Sequence, residues 1–194
     1  ITADHLVARG DRDKGIDDEA VGLIIHDQDS KFVSAYPAQS KNTEEVEKAM
    51  RPYKGSAKVK LAYTDNAPEF ISALENLKLN HDTSTPYRSQ TNSKAERMNR
   101  KVLEGTRAAL EQAGLSAKWW PFAIKHFCFS LNIMMKDGDS SYNKRHGHGH
   151  FKGLKIPFGS LIDYKIPKND DVPEFDPSTT PGNIPRSSCV EWGV

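Results

Sequence analysis

The sequence predicts a mixed-sheet α/β domain over residues 1–137. Short apolar runs rich in β-branched residues alternate with longer segments in which apolar residues recur at helical spacing. Two strand-like runs near the start are separated only by turn residues, which indicates a hairpin. A hairpin followed by strands that alternate with helices is typical of a sheet with both antiparallel and parallel neighbours.

Length and composition fit one such domain with further segments behind it. The chain has 194 residues, of which 37% are hydrophobic, enough to bury a sizeable core. No apolar run approaches the roughly 18 residues that a membrane span needs, and no basic and apolar leader opens the chain. Cys128 and Cys189 are the only cysteines, which excludes a disulfide framework and a zinc site of several cysteines. The start at Ile1, without a methionine, indicates a piece excised from something longer.

The formal net charge of +1 hides an uneven distribution. Residues 1–50 contain eleven acids and six bases, whereas residues 88–107 contain six bases and two acids. Local basic patches fit a polyanionic partner that contacts one face, although solvated surface charge explains them equally well. Behind the core, we expect a basic extension over residues 138–168 and an irregular, Pro-rich acidic tail over residues 169–194.

Three short apolar runs predict the first three strands. Residues 1–7 can form an opening strand. Residues 21–26 and 32–36 lie on either side of turn residues at 27–30, and together they predict the hairpin.

The fourth strand places an acid at its carboxyl end. A helix over residues 44–53, capped by Asn42 or Thr43, leads to a strand over residues 59–63 with alternate residues on one face. Asp65 follows that strand directly. Open α/β sheets bind ligands outside the carboxyl ends of their strands, so Asp65 is a candidate functional residue, although support of the turn is the alternative.

The remaining elements follow from cap residues and helical periodicity. Asn66 and Glu69 resemble a capping box that starts a second helix, and residues 81–86 resemble a short strand that leads into a loop. A long helix over residues 92–113 ends before a glycine. A further helix over residues 117–134 carries an aromatic stripe that we expect to lie in the core.

Two further acids are candidates for function. Asp4 lies within the apolar opening strand, where a carboxylate is unfavourable to bury unless it is paired or binds a cation. Glu96 shares a helix face with Arg100 and Arg107, so it can point to the strand ends while these bases reach a phosphate backbone. The alternatives are an exposed acid at a frayed terminus and an ordinary Glu96–Arg100 pair worth roughly 0.2–0.5 kcal/mol.

Three motifs carry a resemblance to a known family: TDNAPEF at residues 64–70, STPYRSQTN at residues 84–92 and AERMNR at residues 95–100. Shorter matches are KWWP at residues 118–121 and IPFG at residues 156–159. Over residues 1–166, the chain resembles the catalytic core of retroviral and retrotransposon integrases, most of all that of copia-type retroelement polyproteins. The resemblance implies an RNase H-like fold, in which helices flank a five-stranded mixed sheet.

The resemblance also implies an active site of two aspartates and a glutamate, which fall on Asp4, Asp65 and Glu96. Two Mg²⁺ or Mn²⁺ ions held by these carboxylates would support attack on a phosphodiester by water or by a 3′-hydroxyl. Asp27 corresponds to an acid that the family keeps without using it as a ligand. Asp27 is therefore the alternative to Asp4 as the first aspartate of the active site.

The implied function is the joining of retroelement DNA ends to target DNA. The resemblance further implies a homo-oligomer that acts in the nucleus after a cytoplasmic particle stage. Ala67 and Ser93 replace glycines that are usual in the family, and the interval of 31 residues from Asp65 to Glu96 is shorter than usual. Two alternatives therefore stay open, namely an integrase-derived nucleic-acid-binding domain without catalysis and an RNase H-like nuclease.

Basic and amide side chains around Glu96 are the candidate DNA contacts. Those expected in a flexible loop before the helix are Arg88, Gln90, Asn92 and Lys94. Those expected to bind backbone phosphates from the helix are Arg97, Arg100, Lys101 and Arg107. His146, His148 and His150 alternate with glycines and predict a basic loop near DNA, with a transition-metal site as the alternative.

Overall fold

The computed structural model of the chain describes residues 1–83, 89–165 and 179–183. Its central element is a five-stranded sheet with the strand order β3-β2-β1-β4-β5. The strands are β1 (Thr2–Val7), β2 (Val21–His26), β3 (Val33–Ala38), β4 (Ala62–Thr64) and β5 (His81–Thr83). The first three are antiparallel neighbours, and β4 and β5 run parallel to β1. The prediction of an α/β fold with a five-stranded mixed sheet is therefore confirmed.

Local cap chemistry forms the first helix as the sequence predicts. Helix α1 (Thr43–Lys54) begins after Asn42, whose side chain accepts a hydrogen bond of 2.8 Å from the Glu45 N–H. It ends at Gly55, where a φ of 50° is accessible to glycine with little strain. The residues that flank α1 therefore fix its ends without help from the rest of the fold.

The fourth strand is shorter than predicted, and its buried face is different. Ala62 and Thr64 are almost fully buried, whereas Leu61, on the predicted face, is 42% exposed. β4 pairs with β1 on one side and with β5 on the other, so it is a central strand. Its packing against the helices depends on its register with β1, which the local apolar pattern does not encode.

The predicted capping box at the second helix is wrong. Helix α2 (Pro68–Asn76) follows Ala67, and no side chain caps its first turn. Pro68 in the first turn has no N–H that needs a cap, and Asn66 lies one residue before the cap position. The helix nevertheless buries Phe70 fully, as its apolar spacing predicts.

Two long helices cover one face of the sheet. They are α3 (Ser89–Ala113) and α4 (Trp120–Ile133). Gly105 of α3 permits their close approach, because a Cβ atom there would lie 1.9 Å from the Phe127 ring of α4. The expectation that the aromatic stripe of α4 lies in the core is only partly right. Ile124 is buried, but the rings of Trp119, Trp120, Phe122 and Phe127 are half-buried at the core margin.

Side-chain alternation along β1 and β2 divides the core into two clusters, one on each face of the sheet. On one face, Ala3 packs in a cluster that contains Phe70 of α2 and residues of α1. On the other face, Ile24 packs with Val102 of α3 and with residues of α4. Asp4 pairs with Ile24 across β1 and β2, so the alternation turns the Asp4 side chain towards α3.

Short elements follow the core: β6 (Met135–Lys136), β7 (Asp139–Ser140), α5 (Ser141–His146), β8 (Leu161–Lys165) and β9 (Thr179–Asn183). β9 pairs with β8, so the expectation of an irregular tail is wrong for β9. The rest of the expected tail lies outside the described residues, and the boundaries at 137 and 168 stay predictions. In the part of the chain that the structure describes, no helix is long and apolar enough to cross a membrane.

Candidate active site

Strand register brings Asp4 and Asp65 to the same level of the sheet. β1 and β4 are adjacent parallel strands in which Thr2 pairs with Tyr63. Asp4 and Asp65 each lie two residues beyond a member of that pair. Because side chains two residues apart project to the same face of a strand, both carboxylates belong to the α3 side of the sheet.

Asp4 is held by hydrogen bonds to both of its carboxylate oxygens. The backbone N–H of His5 donates to Oδ1, and Nδ2 of the buried Asn99 donates to Oδ2, each at 2.8 Å. Burial raises the pKa of Asp4, the His5 hydrogen bond lowers it, and the negative charges of Asp65 and Glu96 raise it further. The net result is a raised pKa, and Asp65 and Glu96 both lie within electrostatic reach of Asp4.

Asp65 has a carboxylate oxygen that is buried and accepts no hydrogen bond from the described residues. This oxygen is Oδ1. A buried carboxylate oxygen of this kind is unfavourable for folding unless something pairs with it.

Glu96 reaches the same site from α3. It lies in an exposed position of the helix, three residues before Asn99. Residues three apart share a helix face, so the hydrogen bond from Asn99 to Asp4 also orients the Glu96 side of α3 towards β1. The charge of Glu96 contributes to the raised pKa of Asp4.

The three carboxylates are neighbours but do not form a closed ligand cluster. Within residues 1–83, 89–165 and 179–183, no three His, Cys, Asp or Glu side chains are grouped so as to hold a metal ion. Repulsion between like charges opposes such closure in the protein alone. The donor set nevertheless fits a hard cation, because all its donors are oxygens and Asp65 Oδ1 is unpartnered. Mg²⁺ prefers such oxygens and retains several water ligands.

Asp27, the alternative to Asp4 as the first aspartate of the active site, has its own set of partners away from Asp4. Its carboxylate accepts hydrogen bonds from Ser30 Oγ at 2.7 Å and from the Asp29 N–H at 3.1 Å. Arg145 of α5 lies 3.6 Å from its Oδ2. Burial favours a higher pKa for Asp27, but these hydrogen bonds and the positive charges of Ile1 and Arg145 lower it on balance. Asp27 therefore supports the structure between the sheet and α5.

Two further residues of the site were not predicted as participants. Asn99 appeared in the sequence only as part of a matching motif, although a polar residue on the buried stripe of α3 is a usable signal. Lys41 is exposed after β3, which runs parallel to β1, and its positive charge lowers the pKa of Asp4. Burial and the Lys41 charge also lower the pKa of His5 to about 4. No local pattern distinguishes Lys41 from other surface lysines.

The candidate DNA contacts lie along α3. Five of them are exposed on this helix: Lys94, Arg97, Arg100, Lys101 and Arg107. The prediction that Gln90, Asn92 and Lys94 precede the helix in a loop is wrong, because α3 begins at Ser89. Ser93 permits this extension, since a glycine there would disfavour helix by about 0.5–1 kcal/mol relative to alanine. Arg88 lies outside the described residues.

The three alternating histidines are exposed, and the rings of His146 and His148 lie near each other, with centroids 6.1 Å apart. The His146 ring packs edge-on against Phe32, with centroids 5.3 Å apart. His150 Nδ1 lies 3.7 Å from an oxygen of Asp139. They belong to no metal-holding group among the described residues. His146 is the last residue of α5, so the predicted loop is wrong for His146, and a role of this segment near DNA stays a prediction.

Comparison with known proteins supports the fold. No protein-family model matches the chain, and no curated protein matches it. Among solved structures, the chain is similar to the catalytic core domain of BIV integrase, with a TM-score of 0.55 and 17% sequence identity. The match covers 74% of this chain and 90% of that chain. The predicted RNase H-like fold of an integrase catalytic core is therefore confirmed, while an identity this low does not assign a function.

Proposed function

We propose that this chain is the catalytic core of a retroelement integrase. It is a metal-dependent polynucleotidyl transferase that joins the 3′ ends of element DNA to target DNA. The observation that carries the proposal is the juxtaposition of Asp4, Asp65 and Glu96 at one edge of an RNase H-like sheet. A buried, unpartnered Asp65 oxygen within this group of acids opposes folding, which is typical of residues kept for function. The motif at residues 64–70 supports a copia-type element as the source.

Two Mg²⁺ or Mn²⁺ ions are the proposed cofactors. Asp4 and Asp65 would hold one ion, and Asp65 and Glu96 would hold the other. When bound, such ions supply an activated nucleophilic oxygen and stabilise the charge on the leaving oxygen. Asn99 keeps Asp4 oriented through one carboxylate oxygen, which leaves further lone pairs on both oxygens for a ligand bond.

The DNA backbone is the proposed partner of α3. Three carboxylates alone repel phosphates, so a site that acts on DNA needs cations beside them. Arg100 lies one turn after Glu96 and is exposed, and Arg97, Lys101 and Arg107 are exposed on the same helix. The other predicted DNA contacts stay part of the proposal, namely Arg88, Gln90, Asn92 and Lys94. Contacts to phosphates rather than bases suit insertion into many target sequences.

The remaining parts of the proposal concern assembly and location. Two DNA ends must meet one target, which favours a homo-oligomer with at least two active sites. On the family resemblance, we place the activity in the nucleus after a cytoplasmic particle stage.

A DNA-joining assay tests the function. The purified chain is incubated with a 5′-labelled duplex oligonucleotide, a plasmid target and Mg²⁺ or Mn²⁺. We expect labelled strands joined to the plasmid, and we expect Asp65→Asn and Glu96→Gln to reduce joining by at least about 1,000-fold. The matched controls are Asp29→Asn and Glu44→Gln, two exposed acids outside the site that should leave joining unchanged.

The same assay separates the alternatives. Cleaved but unjoined DNA would identify an RNase H-like nuclease. Binding without either product would identify a nucleic-acid-binding domain that has lost catalysis. Joining that survives in Glu96→Gln would remove Glu96 from the active site.

A further inference from the structure

The hydroxyl of Thr64 lies between two groups immediately behind the proposed active site. Its Oγ1 is 2.7 Å from the carbonyl oxygen of Asp65 and 2.9 Å from Nε2 of His81. Thr64 is only 3% exposed, so water does not compete for these contacts. These two short contacts together determine which atom is the donor in each of the two hydrogen bonds.

Proton counting assigns the donors. A hydroxyl has one proton, and a carbonyl oxygen can only accept, so Thr64 donates to Asp65. If His81 also accepted through Nε2, no proton would remain for that contact. His81 Nε2 therefore carries a proton and donates to Thr64. Burial lowers the pKa of His81, which favours a neutral ring.

This chain of hydrogen bonds reaches Asp65 from the opposite face of the sheet. His81 pairs with Ala62 across β4 and β5, and Ala62 belongs to the core on the α1 and α2 side. Thr64 lies two residues from Ala62 and so shares that face, whereas Asp65 alternates to the α3 side. The support is therefore separate from Asp4, Glu96 and any DNA that they approach.

We propose that His81, acting through Thr64, is a positioning residue for Asp65. The proposal rests on the proposed catalytic role of Asp65. In the described residues, Asp65 Oδ1 has no hydrogen-bond partner, so no hydrogen bond restrains that oxygen directly. The Thr64 hydroxyl restrains the backbone of Asp65, because its acceptor is the carbonyl of the peptide between Asp65 and Asn66.

The test compares two substitutions at Thr64 in the full chain. Thr64→Val keeps the shape and removes the hydroxyl, whereas Thr64→Ser keeps the hydroxyl. We expect Thr64→Val to weaken Mn²⁺ binding, measured by calorimetry, by at least about tenfold and to reduce DNA joining by about 10- to 100-fold. Thr64→Ser should stay within about threefold of the wild type in both. Far-ultraviolet circular dichroism and the affinity for duplex DNA should be unchanged in both variants.

Nuclear magnetic resonance tests the hydrogen bonds without reference to function. In ¹⁵N-labelled protein, the long-range proton–nitrogen pattern of His81 should show the Nε2–H tautomer, and the Asn66 amide should shift in Thr64→Val but not in Thr64→Ser. Loss of Mn²⁺ affinity together with this pattern supports the positioning role, even if the wild type joins no DNA.

Three results would overturn the positioning role of His81 and Thr64. They are an Nδ1–H tautomer of His81, equal Mn²⁺ affinities of Thr64→Val and Thr64→Ser, or equal losses of DNA joining in these two variants. Failure of the wild type to join DNA counts against the proposed function instead.

Discussion

Two carboxylate sites of this protein use the same residue type in opposite ways. Asp27, beyond the end of β2, has both oxygens engaged, and its pKa is lowered on balance by hydrogen bonds and by nearby positive charge. Asp65, beyond the end of β4, has a buried oxygen without a partner, and its charge helps to raise the pKa of Asp4. The first site is complete within the protein. The second is complete only when a cation joins it, according to the proposed function.

The difference between Asp27 and Asp65 lies in whether the protein itself pairs each carboxylate oxygen. Arg145 stacks over the rings of Tyr53 and Phe32, with its guanidinium carbon 4.3 and 5.1 Å from their centroids. It also donates to the carbonyl of Tyr53. No comparable cation is fixed on the carboxylates of Asp4 and Asp65 within the described residues. An acid that the fold satisfies adds stability, and an acid that the fold leaves unsatisfied is available to a ligand.

Removal of Arg145 should have the largest effect on stability. Arg145→Ala removes the ion pair of the Asp27 carboxylate with the guanidinium and two ring contacts. Because the pair is partly exposed, we expect a loss of about 2–3 kcal/mol in the free energy of unfolding, below the range for a fully buried pair. Urea denaturation followed by circular dichroism measures it. The neighbouring exposed Lys144→Ala should change stability by less than about 0.5 kcal/mol, and equal effects of the two variants would contradict a special role of Arg145.

Neutralising the two aspartates should change stability in opposite directions. Asp27→Asn weakens the contact with Arg145 and should lower the free energy of unfolding by about 1–2 kcal/mol. Asp65→Asn removes an unbalanced charge and should raise it by about 0.5–1 kcal/mol. Both values come from urea denaturation at neutral pH without divalent cations. A loss of stability in Asp65→Asn similar to that in Asp27→Asn would show that the two sites do not differ.

The pH dependence of stability should separate Asp4 from Asp27. The folded protein binds a proton at Asp4 more tightly than the unfolded chain does, so this stabilising contribution is present below the ordinary pKa of 3.8 and is lost as the pH rises through the raised pKa. The contribution of Asp27 is present above 3.8 and is lost as the pH falls through its lowered pKa. Urea denaturation between about pH 3 and pH 7 measures the free energy of unfolding. Compared with the wild type, this free energy should decline less towards higher pH in Asp4→Asn and less towards lower pH in Asp27→Asn. Parallel profiles of both variants would contradict these assignments.

The exposed arginines of α3 should affect DNA binding and leave stability nearly unchanged. Log affinity for DNA falls as log salt concentration rises. Arg100→Ala should make this slope shallower by about one unit, and the double variant Arg97→Ala, Lys101→Ala should make it shallower by about two units. Titration of a labelled duplex across salt concentrations measures this. Lys48→Ala, on α1 and paired with Glu44, is the matched control and should leave the slope unchanged. Unchanged slopes in both α3 variants would show that this helix is not the DNA face.

Elements defined by local chemistry could be predicted from the sequence. The cap at Asn42, the glycine at position 55 and the hairpin turn act within a few residues of the elements they define. The buried face of β4 and the hydrogen bond from Asn99 to Asp4 depend on partners far away in sequence, so local patterns could not give them. The same applies to Arg145, which contacts Asp27 across more than a hundred residues.

The candidate acids were found differently. Asp65 followed from its place at a strand end, whereas Asp4 and Glu96 depended mainly on the resemblance to a family. The structure adds the electrostatic effect of Asp65 and of Glu96 on Asp4, and the unpartnered oxygen of Asp65. The extension of α3 to Ser89 was missed because the family motif suggested a loop where this chain has Ser93.

The most direct test of the central claim is a crystal structure of the protein soaked in Mn²⁺, with an anomalous difference map. We expect anomalous density within about 2.0–2.3 Å of carboxylate oxygens of Asp4 and Asp65, with Asp65 Oδ1 as a ligand and Glu96 turned towards the density. Asp27 should show no density and should keep its contact with Arg145. Density absent from Asp4 and Asp65, or a protein hydrogen-bond donor on Asp65 Oδ1, would contradict the account that this oxygen is kept for a cation.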